Sequence, residues 1–262
     1  MRRIVLAIVG ICVAWAATAR ADSPRVAASI KPVHSLVAGV MEGVGTPSLI
    51  THDAPPPLVE LVFWIGPGIE GDLATRLSRL PGSVTIVELD RAPGVVLLPA
   101  RGDSGIDGHI WLDPRNARAI VRAAAAALAQ RDSANAPRYQ ENAAGLETRL
   151  AALDAELRET FFPLAGQPFA VVDDAYQYLE RRYALNGLGA VPLDPTHLRA
   201  SGARCIFGTP ETRPSALAAA IAGTGIKTGT LDPIGAGQAA GPALYFGVLR
   251  GVARALSDCL GR

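Results

Sequence analysis

The stretch Tyr139-Gln140-Glu141-Asn142-Ala143-Ala144-Gly145-Leu146-Glu147-Thr148-Arg149-Leu150-Ala151-Ala152-Leu153-Asp154-Ala155-Glu156-Leu157 decides how this chain is read. Its larger apolar residues recur as Tyr139, Ala143, Leu146, Leu150, Leu153 and Leu157, at spacings that alternate between four and three. That is the period of an α-helix with one buried face. The pattern extends over residues 136–160, roughly 36 Å of helix at about 1.5 Å per residue. Asp132 or Ser133 stands where a cap is needed, and Pro163 where the helix should stop. A coiled-coil seam is the rival reading, but four leucines are too few to sustain one. The helix is expected to pack along a globular body.

On both sides of this helix the chain alternates strand-like and helix-like segments. Strands are expected at residues 26–30, 60–65, 84–89, 168–172, 203–207 and 227–231, each short and soon followed by Gly, Pro or Asp, and most of them rich in Val, Ile or Phe. Several are continuous apolar runs, as parallel strands buried on both faces are. A helix over 116–130 follows Asp113-Pro114, a capping residue with proline at the first helical position. The expected fold is therefore α/β, with two α/β lobes joined by one long rigid helix. The expected division is an N-terminal lobe over 22–132, a linking helix over 133–163 and a C-terminal lobe over 164–262.

Composition narrows the function. The 262 residues are 49% hydrophobic and 19% charged, with 25 basic against 24 acidic side chains. A net charge of +1 supplies no field for nucleic acid. Arg2 and Arg3 precede an apolar run from Ile4 to Ala17, and Ala19-Arg20-Ala21 offers small residues for cleavage. Residues 1–21 are read as a secretory signal peptide, so the mature protein is expected to be exported. The run is shorter than the roughly 20 residues of a membrane span. Removing three arginines tips the mature balance slightly acidic. It also removes Cys12 and leaves Cys205 and Cys259, an even pair in an oxidising compartment. A disulfide would add about 4 kcal/mol on the chain-entropy model. Two inert thiols or a thiolate metal site are the alternatives, the last disfavoured because neither Cys has a second Cys or a His at ligand spacing.

A run of motifs resembles a known family. Ala28-Ser29-Ile30-Lys31-Pro32-Val33-His34-Ser35-Leu36-Val37 is followed by Leu61-Val62-Phe63-Trp64-Ile65-Gly66-Pro67-Gly68 and by His109-Ile110-Trp111-Leu112-Asp113-Pro114. Then come Asp174-Ala175-Tyr176-Gln177-Tyr178-Leu179-Glu180, Ala203-Arg204-Cys205-Ile206-Phe207 and Leu231-Asp232-Pro233-Ile234-Gly235. In this order they resemble the periplasmic metal-binding proteins that serve ABC transporters, in the zinc branch. The resemblance covers nearly the whole mature chain. It implies two α/β lobes on one long helix, a metal cleft between the lobes, and a disulfide between Cys205 and Cys259.

It also implies a ligand set. His109 and Asp232 match the family's imidazole and carboxylate ligands directly. His52 is the candidate for the first ligand, although Thr51-His52-Asp53 runs at once into Pro55-Pro56-Pro57, and a family helix is missing there. The third family ligand is a histidine immediately before Asp-Ala-Tyr, and here that position is Asp173. Asp174 is then expected to cap a helix or to support the site from behind. His34 matches a position that is not a family ligand, and His197 is expected on the surface beside a second missing stretch. His52, His109, Asp173 and Asp232 make two nitrogens and two carboxylates, the pattern of the family's manganese branch. Zinc is expected first and manganese next. Residues 101–108 hold no histidine, so the His-rich loop of other members is absent.

The expected function is an extracytoplasmic solute-binding protein, not an enzyme. It would capture a divalent metal as a monomer and deliver it to a membrane ABC permease, with no nucleic-acid partner. A degenerate paralogue acting as an accessory protein is the alternative. A secreted metal-dependent hydrolase is disfavoured, because the chain has neither Gly-x-Ser-x-Gly nor His-Glu-x-x-His.

Overall fold

The computed structural model describes residues 23–50, 58–102 and 105–261. The expected signal peptide and His52 lie outside the described residues. In the N-terminal lobe β1 (Val26–Ala28) leads through α1 (Lys31–Val40) to β2 (Ser48–Leu49), and β3 (Leu61–Trp64) leads through α2 (Pro67–Leu77) to β4 (Thr85–Glu88). These strands pair in parallel, in the order β2-β1-β3-β4. A small antiparallel hairpin, β5 (Leu98–Pro99) and β6 (Ile106–Asp107), precedes α3 (Pro114–Arg131). Next comes the long helix α4 (Ala136–Phe161).

The second lobe repeats the design. Its order along the chain is β7 (Pro168–Val171), α5 (Gln177–Tyr183), β8 (Asn186–Ala190), α6 (Pro195–Ser201), β9 (Cys205–Gly208), α7 (Pro214–Ile221) and β10 (Lys227–Thr230). The parallel sheet runs β10-β9-β7-β8, with a register shift between Phe169 and Val171 against β8. The last helix, α8 (Leu244–Leu260), returns to pack on α1 and α4.

The strand residues explain why both sheets are covered on both faces. In β3, Leu61 and Phe63 enter the central core while Val62 and Trp64 face α2. In β9, Cys205 and Phe207 point inward and Ile206 points to the opposite face, with Leu198 and Leu217. The alternation of side chains along a strand thus fills two layers from one apolar run. The stripe of α4 is buried as its spacing predicts, and Phe161 extends it by one further turn. It lies chiefly against α3, with α1 and α8 also in contact. Asp132 caps a short 3-10 turn over Ser133–Asn135 that leads into α4, and its carboxylate also accepts the Tyr139 hydroxyl at 2.8 Å. Asp113 caps α3 by accepting the Arg115 N–H. Cys205 and Cys259 form a disulfide that ties β9 to α8. Among the described residues no helix is long and apolar enough to cross a membrane.

Candidate metal centre

His109 follows the β5–β6 hairpin and opens a 3-10 turn over Ile110–Leu112. Asp107, at the end of β6, holds it. One carboxylate oxygen of Asp107 accepts the His109 backbone N–H at 2.9 Å and the Nδ1–H at 2.7 Å. With Nδ1 committed to a carboxylate, the lone pair sits on Nε2, the arrangement that suits imidazole to a cation. Asp107 is only 8% exposed. Its carbonyl accepts the Tyr178 hydroxyl at 2.7 Å, so α5 of the other lobe steadies the hairpin. The Trp111 ring stands 5.3 Å from the His109 ring, centroid to centroid.

The two candidate carboxylates leave strand ends of the C-terminal sheet, where ligands gather in open α/β sheets. Asp173 follows β7 and is exposed. Asp232 follows β10, is half-buried, and accepts the backbone N–H groups of Gly235 at 2.8 Å and Ile234 at 3.3 Å through Oδ1.

His109, Asp173 and Asp232 line one cavity of about 570 Å³ between the lobes. Glu70, Asp72 and Glu211 line it too, against Arg76, so its charge favours a cation. Among the described residues, no three His, Cys, Asp or Glu side chains stand close enough to hold one ion. The candidates therefore share a cleft without converging on a point.

Glu70 and Asp107 had no part in the expected site. Glu70 accepts the Ser29 hydroxyl at 3.0 Å and the Ile65 N–H at 2.7 Å, at a kink near the start of α2. Burial raises its carboxyl above the ordinary value, against those hydrogen bonds. Glu70 is the fourth helical residue after Gly66, one position beyond the capping-box spacing, so that pattern does not mark it. Asp107 stands two residues before His109, the spacing of an Asx-type turn, which is a local signal in Asp107-Gly108-His109. Tyr176 is buried, and among the described residues nothing hydrogen-bonds its hydroxyl. Burial raises its pKa, and the Asp173 and Asp232 carboxylates add to the effect.

The remaining histidines lie elsewhere. His34 is buried in α1, with Nε2 on the Pro47 carbonyl at 2.9 Å, and burial lowers its pKa. His197 is exposed and bonds Asp194 at the start of α6. Asp174 does not cap α5, which begins with Tyr176 in that position. Its carboxylate instead accepts from Arg101 at 2.8 Å, and Arg101 also pairs with the buried Glu180.

A family model described as ZnuA, zinc-uptake complex component A, periplasmic, matches residues 59–259. The high-affinity zinc uptake system protein ZnuA of Paracoccus denitrificans is 32% identical over 305 residues, covering 93% of this chain and 94% of that protein. The protein of the same name from Brucella suis is 29% identical over 306 residues, covering 90% and 92%. Both alignments are longer than this chain of 262 residues, so the relatives carry stretches without counterpart here. Among solved structures, a ZnuA deletion mutant with zinc bound superposes with a TM-score of 0.78 at 22% identity, over 91% of this chain and 98% of that one. A manganese-bound periplasmic metal binding protein from Candidatus Liberibacter asiaticus gives 0.76 at 15% identity, over 90% and 99%. At these identities the two structures establish a shared fold. The family match covers most of the sequence, and a relative above 30% identity spans nine-tenths of both chains: the chain belongs to the family of periplasmic zinc-uptake complex component A proteins.

Proposed function

We propose that this protein captures zinc outside the cytoplasm and hands it to a membrane ABC permease, acting as a monomer after its signal peptide is cleaved. The observation that carries this reading is His109. Its ring is held through Nδ1 by Asp107, and the residue lines an acidic cleft between two lobes. The proposed ligands are His52, His109, Asp173 and Asp232, two nitrogens and two oxygens for a cation that accepts both. Asp173 in place of an imidazole makes the set harder, so manganese is the expected competitor. The manganese-bound neighbour of the same fold supports keeping that ion in view.

Calorimetric titration of the mature protein tests the reading. One zinc per chain is expected, with manganese weaker. His109→Ala and Asp232→Ala should each lose most of the affinity, and His52→Ala should lose less. Full binding in both of the first two variants would show that the family cleft is not used, and the accessory-protein reading would replace this one.

A further inference from the structure

Lys31 begins α1 in the N-terminal lobe, yet its ammonium reaches one loop of the other lobe. Its ammonium donates to the carbonyls of Gly235 at 3.1 Å, Ala236 at 2.8 Å and Gln238 at 2.9 Å. An ammonium has three protons. Each has a main-chain oxygen here.

The loop that Lys31 grips is the one that carries Asp232. Gly235 links the two directly, because its N–H goes to Asp232 and its carbonyl to Lys31. It adopts a positive φ of 71°, and a Cβ there would lie 2.8 Å from Val248, so glycine is required. A second tie comes from Trp111, whose Nε1–H donates to the Pro233 carbonyl at 2.8 Å. The Trp111 carbonyl in turn accepts the Tyr245 hydroxyl at 2.7 Å. Lys31, Trp111 and Asp232-Pro233-Ile234-Gly235 stand far apart in the chain and meet in this one loop.

We infer that Lys31 is a positioning residue for Asp232: the N-terminal lobe, through this ammonium, sets the C-terminal lobe's carboxylate in the cleft before any ion arrives. The affinity part of this inference rests on the zinc-capture reading. The loop-ordering part stands without it. A neutral side chain of similar length leaves three carbonyls to water and lets the loop drift. Misplacing a ligand's support typically costs 10- to 100-fold in metal affinity.

Two measurements on the full mature protein test it, each against the wild-type protein. First, hydrogen exchange of metal-free protein is followed over residues 232–238. Lys31→Met should speed exchange there by about tenfold or more, with the other strand ends unchanged. Exchange equal to that of wild type would overturn the inference, whether or not zinc binds. Second, zinc affinity is measured in a cycle of Lys31→Met and Asp232→Ala. The single Lys31 variant should bind at least about tenfold more weakly, and adding it to Asp232→Ala should change affinity less than about twofold, since coupled residues are not additive. Additive losses would mean that Lys31 acts elsewhere. If Lys31→Met does not fold, Lys31→Gln takes its place in both arms. A wild-type protein that takes no zinc would refute the capture reading and leave the exchange result to decide this one.

Discussion

At the scale of single residues, the proposed site calls on groups that orient the candidate ligands as much as on those candidates. Asp107 satisfies two N–H groups of His109 with one oxygen and is almost wholly buried. Asp107→Ala should therefore lower zinc affinity by about 10- to 100-fold while the protein still folds, as measured by calorimetry alongside circular dichroism. An unchanged affinity would show that His109 holds its orientation without the carboxylate. Asp173 poses the opposite question, because it is exposed and its side chain is shorter than the imidazole expected there. Asp173→His should tighten zinc and weaken manganese relative to it, read by titrating both ions side by side. If zinc binds the variant no better, Asp173 does not reach the ion.

At the scale of elements, charged pairs and one covalent link hold the helices to the second lobe. Asp154 on α4 accepts from Arg182 Nε at 3.0 Å and from the Tyr183 hydroxyl at 2.9 Å, both on α5. Burial works to raise its carboxyl, but these hydrogen bonds outweigh burial and hold the pKa below the ordinary value. A depressed carboxyl stabilises the folded state fully above its unfolded pKa, and the benefit fades as pH falls through the folded value. The stability gap between wild type and Asp154→Asn should thus be full near about pH 6 and shrink below about pH 4. Urea unfolding at both pH values checks this, and a gap that persists in acid would assign it to packing. The disulfide between β9 and α8 is the second tie. Denatured, unreduced mature protein should show no free thiol, and Cys205→Ala with Cys259→Ala should lose about 2–5 kcal/mol in chemical denaturation.

At the scale of the whole molecule, two sheets share one continuous core through α1, α3, α4 and α8, and the cleft lies where their strand ends face each other. An ion bound in that cleft stabilises the folded state by mass action. Free zinc at about 100 times its Kd should add about 2.7 kcal/mol, a rise of roughly 5–10 °C in Tm for a chain of this size. A chelator should reverse the rise, and His109→Ala should abolish it. A rise that survives in His109→Ala would place the stabilising ion elsewhere.

What this sequence determined by itself was local and periodic. The spacing from Tyr139 to Leu157 specified a one-faced helix, because a period near 3.6 puts those side chains on one side whatever they pack against. Asp113-Pro114 marked the start of α3, because capping involves only neighbours in the chain. The apolar runs marked β1, β3, β4, β7 and β9 to within a few residues, and the polar β10 was placed as closely. β8 was not legible: Asn186-Gly187-Leu188-Gly189-Ala190 has no β-branched residue and is a strand through its pairing with β7. Asp174 looked like a cap from its place before a helix, but Arg101 claims it from the β5–β6 side of the chain. The same holds at the cleft. His109 and Asp232 were found as motif residues, and Asp107 supports His109 from only two positions away, whereas Lys31 was decided by tertiary structure. A hydrogen bond needs two groups within about 3 Å, and between residues 204 to 207 positions apart only the folded chain supplies that proximity.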